Sequence, residues 1–411
     1  MIHKMGQSTQ LRTTVEHDRE KRVRVGFLLI GDGKWRGGVN YQRTLLETIA
    51  GPLAQRVEAR LFVTESQRKL AEEEFGCYLE VPPVVDHRVA GAGAGRRALG
   101  AAITGHDGAL QALVREHDID VMFETARFFG HTFAVPILSW LPDFQHRYLP
   151  QLFSRSAWLK REIGFRAQSK GPRITMLSSE AARSDCEQFY PRTRGRTQVV
   201  RFTPQVAVNE VHARMSGARA DHGVPERFFY MPNQFWTHKN HGLVLAALRR
   251  LRENGDLSAL PPVIMSGTTT DDRNVGYFEK LMGQAEAEGL SPWFRHLGLI
   301  PFPDVLALNA SALAVLNPSS FEGWASSVEE AKALGTPLIL SDIPVHREQA
   351  PKARFFDPKD KDTLAEMLCL TSNEQPRIEP DVTSLLMANN KRQSEFANAL
   401  ETAIMETYSF G

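Results

Sequence analysis

"VRVGFLLIGDGKWRGGVN", residues 23 to 40, opens with an apolar, β-branched run that stops at glycine. Such a run, apolar at every position instead of alternating, reads as a strand buried on both faces, as in a parallel sheet. The Gly-rich loop "GDGKWRGGVN" follows, and from Val39 to Ile49 apolar residues recur at helical spacing. Strand, glycine loop and helix form the first unit of a βαβ fold. The alternation continues through "ARLFVT" (59–64), "IDVMFET" (119–125), "VPILSWL" (135–141) and "RITMLSS" (173–179).

After "TQVVRFTP" the chain turns polar, and residues 205–225 read as an irregular boundary. The alternation then resumes with "RFFYMPNQ", "PPVIMSG", "FRHLGL", "ALAVLNPS", "TPLILSD" and "ARFFD". The chain has 411 residues, which suits two domains, each large enough for its own core. The expected organisation is a polar segment 1–22, an N-terminal Rossmann-like domain 23–210, a linker 211–225, a second such domain 226–390 and a C-terminal helix 391–411. Phe396, Leu400 and Ile404 give that helix an apolar stripe without naming its partner. Two tandem doubly wound α/β domains predict a ligand cleft beyond the carboxyl ends of the strands.

A net charge of +1 gives no global attraction to nucleic acid. Cys77, Cys186 and Cys369 match neither a disulfide framework nor a zinc spacing, and a reducing cytoplasm is the simpler expectation. No run reaches the roughly 20 apolar residues of a membrane span, and the N-terminus lacks a signal-peptide core.

Four segments carry candidate chemistry. In "NPSSFEGWASSVEEAKALGTP" (317–337), Glu322 lies in the loop after a buried strand and Glu330 in the helix that follows. Free amides at that helix start suit phosphate, and carboxylates beside them accept from sugar hydroxyls, so the pair suggests a nucleotide sugar. Glu322 as a solvated loop acid is the plain alternative. Ser327 with Glu330, or Ser326 with Glu329, also fits a capping box, and Glu329 is the expected cap that leaves Glu330 to the cleft. In "MPNQFWTHKNH" (231–241), Lys239 is placed to neutralise a pyrophosphate, flanked by His238 and His241. Two histidines at i, i+3 are a weak metal signal, and no metal is expected. Gly31, Gly33, Gly37 and Gly38 fit either close approach to phosphate or a tight turn. In "WLPDFQHRYLP" (140–150), Asp143 and His146 form a possible polar pair at the cleft, or a Pro-Asp turn.

Together these segments resemble the retaining family-4 glycosyltransferases of the GT-B fold, also called glycosyl transferases group 1. "FEGWASSVEEAKALGTPLILSD" is similar to that family's E-x7-E signature, "PNQFWTHKNH" to its lysine-bearing phosphate loop, "GGVNY" to its N-domain glycine loop and "TMLSSEAARSDCEQFY" to the helix entry before its interdomain linker. The resemblance implies that Glu322 contacts the transferred sugar, Glu330 the ribose, and the amides of Gly323, Trp324, Ala325 and Ser326 the sugar and phosphates. It likewise implies that Lys239, with the Gly37 and Gly38 amides, holds the diphosphate and that Ile300 lies at the base. Transfer would need no metal or other cofactor.

Three positions depart from the family. Its arginine before the lysine is Gln234, which leaves His238, Arg273 or Arg295 to supply the charge; its G-F-G-L-P is Gly-Trp-Ala-Ser-Ser; and its His-Asp is Pro142-Asp143. Asp143, with His146 as the rival, is the expected acceptor-side group. The implied function is sugar transfer from a nucleoside diphosphate sugar to a sugar or lipid-linked glycan in cell-surface polysaccharide or glycoconjugate synthesis. A GT-B sugar-nucleotide epimerase or hydrolase, or a non-catalytic carbohydrate-binding protein, is the alternative. Residues 151–173, with six basic residues against one acid, fit either peripheral contact with the inner membrane face or a packed helix with a basic solvent side.

Overall fold

The computed structural model describes residues 22–30, 36–89, 105–125, 127–375 and 381–410. Gly31, Gly33 and the polar segment through Lys21 lie outside them. Seven parallel strands form the first sheet: β1 (Val23–Leu28), β2 (Val57–Val63), β3 (Val84–Val85), β4 (Val121–Glu124), β5 (Ile137–Trp140), β6 (Arg173–Leu177) and β7 (Thr197–Val199), in the order β3-β2-β1-β4-β5-β6-β7. Six more form the second: β8 (Phe229–Met231), β9 (Val263–Met265), β10 (Phe294–His296), β11 (Val315–Asn317), β12 (Leu338–Ser341) and β13 (Arg354–Phe356), in the order β10-β9-β8-β11-β12-β13. The strand order reverses between β1 and β4, and again between β8 and β11. At such a switch point adjacent loops diverge to opposite faces and leave a crevice. The loops of chemical interest follow β1, β8 and β11.

The stretch expected to be irregular is a helix, Val208–Asp221. Its sequence is polar because it buries only a narrow edge: Ala218 joins Phe228, Tyr230, Ala307 and Leu308 in a core cluster of the second domain. Arg214 and His222 both bond Asp304, at 2.7 and 2.9 Å. Most of the expected linker 211–225 is therefore helix packed on the second domain.

The C-terminal helix is longer than its apolar stripe suggested, running Val382–Phe410. Phe396, Ala397, Leu400, Ala403 and Ile404 pack into the first domain's core beside Val23, Val25 and Trp140. Its earlier part holds the second domain, where Asn389 donates to Ala333 O at 3.0 Å. One helix thus ties the two domains together. A second tie is Glu348, whose carboxylate accepts from the backbone N–H of Glu180 (2.9 Å) and Ala181 (3.3 Å) and from Arg201 Nε (2.7 Å).

Candidate active site

A cavity of about 310 Å³ opens between the two sheets, at both switch points. Its second-domain wall is built from the loops after β8, β9, β10 and β11. The loop after β8 passes through a 3-10 turn, Thr237–Lys239, and then Asn240, whose φ of 61° places it in the left-handed region that asparagine tolerates. Asn240 Nδ2 donates to Pro318 O (3.1 Å) and Pro358 O (2.9 Å), which binds this loop to the one after β11. The two loops then bring their charged side chains together. Lys239 Nζ donates to Glu322 Oε1 at 2.5 Å, and Ser319 Oγ donates to the same oxygen at 2.7 Å.

Glu322 and Lys239 are 8% and 14% exposed. Burial opposes ionisation of Glu322, but the Lys239 ammonium, with His238 and His346 adding to it, prevails and holds the carboxyl down at about 2. Glu330 meets the opposite balance. It lines the same cavity, its carboxylate has no hydrogen-bond or ion-pair partner among the described residues, and burial alone pushes it up to about 7. Burial, reinforced by the neighbouring Lys239, holds His238 at about 3, so that ring is neutral at physiological pH. Lys239 is thus the one formal cation among the described lining residues.

The helix Ser326–Ala333 starts without a side-chain cap from its own sequence. Ala325, in extended conformation (φ −91°, ψ 109°), is the N-cap, and Gln349 holds both its N–H and its carbonyl at 3.1 Å. The expected capping role of Glu329 is therefore not realised. Its buried carboxylate instead accepts from Lys332 (2.7 Å), Gln349 (3.2 Å) and Arg392 of the C-terminal helix (3.3 Å). Glu330, the fifth residue of the helix, faces the cavity from its second turn. The backbone N–H groups of Gly323, Trp324, Ser326 and Ser327 make no hydrogen bond among the described residues, and all four residues line the cavity.

Gly323 is packed tightly against the first domain. A Cβ there would lie 2.2 Å from Pro142 O and 3.0 Å from Asp143 Cβ. Ser179 Oγ donates to Gly323 O at 3.3 Å, and Trp324 Nε1 to Phe202 O at 3.0 Å. The first-domain wall carries Gly37, Asn40, Tyr41, Trp140, Asp143 and Ser178. Tyr41 stacks on Trp140 with centroids 4.0 Å apart, and its buried hydroxyl has no partner among the described residues.

Of the expected site residues, Gly37, Asp143, Gln234, His238, Lys239, Ile300, Glu322, Gly323, Trp324, Ala325, Ser326 and Glu330 all line this one cavity. Gly38 is buried in the first turn of the Arg36–Ala50 helix, outside the lining. His146 is also outside it. The ring is fully buried against Phe153, Trp158 and Phe165, with Nε2 3.2 Å from Glu162, and burial lowers its pKa despite that carboxylate. Asp143 and His146 therefore do not pair; Asp143 accepts from Arg161 at 2.7 Å and from Gln145 N at 2.8 Å. Neither arginine named as compensation for Gln234 lines the cavity: Arg273 is bound to Asp271 (3.1 Å) and Gln145 (2.8 Å), Arg295 to Gly223 O (3.1 Å).

Tyr41, Trp140, Asn233 and the Ser266–Thr268 loop also line the site and escaped the sequence reading. Each sits in or just after a segment that was singled out, at the carboxyl end of a strand or the start of its helix, and that position was the available signal.

Residues 218–379 match the glycosyl transferases group 1 family. They include Lys239, Glu322 and Glu330. A 105-residue stretch is 30% identical to the O-antigen chain mannosyltransferase B of Escherichia coli and spans about a quarter of each chain (25% and 26%). Over the whole fold the chain is similar to a glycosyltransferase from Rickettsia africae (TM-score 0.60, 11% identity, 94% of both chains). It is similar also to a sucrose-phosphate synthase from Thermosynechococcus elongatus (TM-score 0.61, 14% identity, 94% of this chain and 97% of that one). The architecture is GT-B.

Proposed function

We infer that this protein is a retaining glycosyltransferase of the family-4 type. It would move a sugar from a nucleoside diphosphate to an acceptor hydroxyl in cell-surface polysaccharide or glycoconjugate synthesis, in the cytoplasm. The observation that carries this reading is the convergence of Lys239 from the loop after β8, Glu322 from the loop after β11 and Glu330 from the helix that follows it, around unbonded backbone amides. A lysine beside free amides fits a diphosphate, and two carboxylates fit the hydroxyls of the sugar and ribose at its two ends.

On donor binding, the Lys239 ammonium exchanges Glu322 Oε1 for a phosphate oxygen and then neutralises charge that grows on the leaving diphosphate. Glu322, released, accepts from the transferred sugar. Glu330 accepts from the ribose, and the amides of Gly323, Trp324, Ser326 and Ser327 and the first-turn amide of Gly37 cradle phosphate, with the base against Ile300. The acceptor, a sugar or a lipid-linked glycan, enters along the Tyr41, Trp140 and Asp143 wall. As the anomeric C–O bond to phosphate breaks, the acceptor oxygen bonds the same face and its proton passes to the departing phosphate oxygen. This route needs no protein nucleophile, and Lys239 supplies the countercharge without a metal.

A thermal-shift panel of nucleoside diphosphates and their sugars tests the reading. One diphosphate should raise the melting temperature, by an amount set by its affinity, with chelator present and absent alike. No shift from any member would overturn it, and donor turnover without acceptor would point to an epimerase or hydrolase.

A further inference from the structure

The helix Arg155–Gln168 is built inside out. Its one acid, Glu162, is buried, where it accepts from Arg166 (2.6 Å) and Tyr190 (2.9 Å), bonds Arg147 and lies 3.2 Å from His146. Its aliphatic residues Leu159 and Ile163 face solvent, 53% and 58% exposed. A helix selected only for packing would place these residues the other way round. At about 100° per residue, Arg155, Leu159, Ile163 and Arg166 fall within an arc of roughly 80°. Lys160 and Lys170 are exposed beside this stripe, and with Arg155 they make no ion pair among the described residues. Arg196 donates to Ser169 O (3.3 Å) and to Arg192 O, which sets the exposed Arg192 at the helix's C-terminal end.

We propose that this face docks on an anionic lipid bilayer, with Leu159 and Ile163 entering the headgroup boundary and Arg155, Lys160, Arg166, Lys170 and Arg192 meeting the lipid phosphates. An apolar pair inside a ring of cations fits that surface because each part is placed for a different layer of it. A nucleic acid would engage the cations but would have no use for two adjacent aliphatic side chains. The same helix contributes Arg161, which holds Asp143 on the cavity wall at 2.7 Å. If the transferase reading holds, docking would hold that wall, on the far side of the helix, within about one helix diameter of a membrane that carries a lipid-linked acceptor.

Sedimentation of the full chain with vesicles tests the surface without any sugar donor, so its failure would leave the transferase reading untouched, and the reverse. The chain should bind vesicles of phosphatidylglycerol mixed with phosphatidylcholine and ignore phosphatidylcholine alone. Leu159→Ser with Ile163→Ser should weaken partitioning about tenfold or more, and Arg155→Ala or Lys160→Ala about fivefold each. All three variants should melt with the wild type, since the changed side chains are exposed. Absence of phosphatidylglycerol-dependent binding would overturn the proposal. So would such binding undiminished by the Leu159/Ile163 pair, which would reveal a general polyanion patch.

Discussion

Replacing Lys239 by methionine separates a structural from a catalytic role for the ion pair. The Lys239–Glu322 bond at 2.5 Å is the closest polar contact made by either side chain, and both are largely shielded from solvent. The fall of the Glu322 carboxyl from its ordinary 4.5 to about 2 corresponds, at 1.36 kcal/mol per pH unit, to about 3 kcal/mol of folding stability. Because the folded value is depressed, that stability is present above pH 4.5 and is lost as pH falls from there towards 2. Lys239→Met leaves Glu322 buried with Ser319 Oγ as its main donor, so the carboxyl should rise above 4.5 and the variant should be less stable by about 3 kcal/mol at pH 7. The deficit should shrink as pH drops towards 4. Adding Glu322→Gln removes the stranded charge and should restore most of the melting temperature.

Activity should not follow stability. If Lys239 neutralises the leaving diphosphate, kcat should fall about 10²- to 10³-fold in Lys239→Met, the range found when one transition-state donor is removed. The double variant should stay as slow although it is stable again. The assay is initial-rate transfer from the donor found by thermal shift, measured beside calorimetric unfolding from pH 4 to 8. A kcat within threefold of wild type, or one rescued along with stability, would refute the role given to Lys239.

Two other perturbations follow from the same geometry. Burial raises Glu330 to about 7, so the folded chain prefers it protonated, and stability falls as pH rises from 4.5 to 7. Glu330→Gln should therefore raise the melting temperature at pH 8, by about 3 kcal/mol of stability, and leave it unchanged at pH 4. It should also weaken nucleoside diphosphate binding in calorimetry; a variant no more stable at pH 8 would contradict the burial argument. Gly323→Ala places a methyl 2.2 Å from Pro142 O, a backbone contact that forces the two facing loops, and with them the domains, apart. Small-angle scattering should show a more open chain and kcat should drop at least tenfold, whereas wild-type dimensions and rate would show that the contact is not needed for closure.

Sequence alone determined the two doubly wound domains, because an all-apolar strand that ends at glycine and leads into a helix has few other ways to bury itself. It also singled out Glu322, Glu330 and Lys239, which the structure brings to one cavity, because crevices in such sheets form beyond the carboxyl ends of the strands and those ends can be read by counting. What it could not supply was direction. Glu330 lies at the cavity as expected, but Glu329, expected to cap its helix, is instead turned by packing towards Lys332, Gln349 and Arg392 of the C-terminal helix. Asp143 and His146 are three apart, and only the buried Glu162, sixteen residues beyond His146, drew the imidazole out of the cleft. The helix at Val208–Asp221 stayed hidden because it buries little apolar surface, so its pattern carries almost no period. Periodicity records how much of an element is buried; which partner buries it is settled by contacts distant in sequence, and these exist only once the chain has folded.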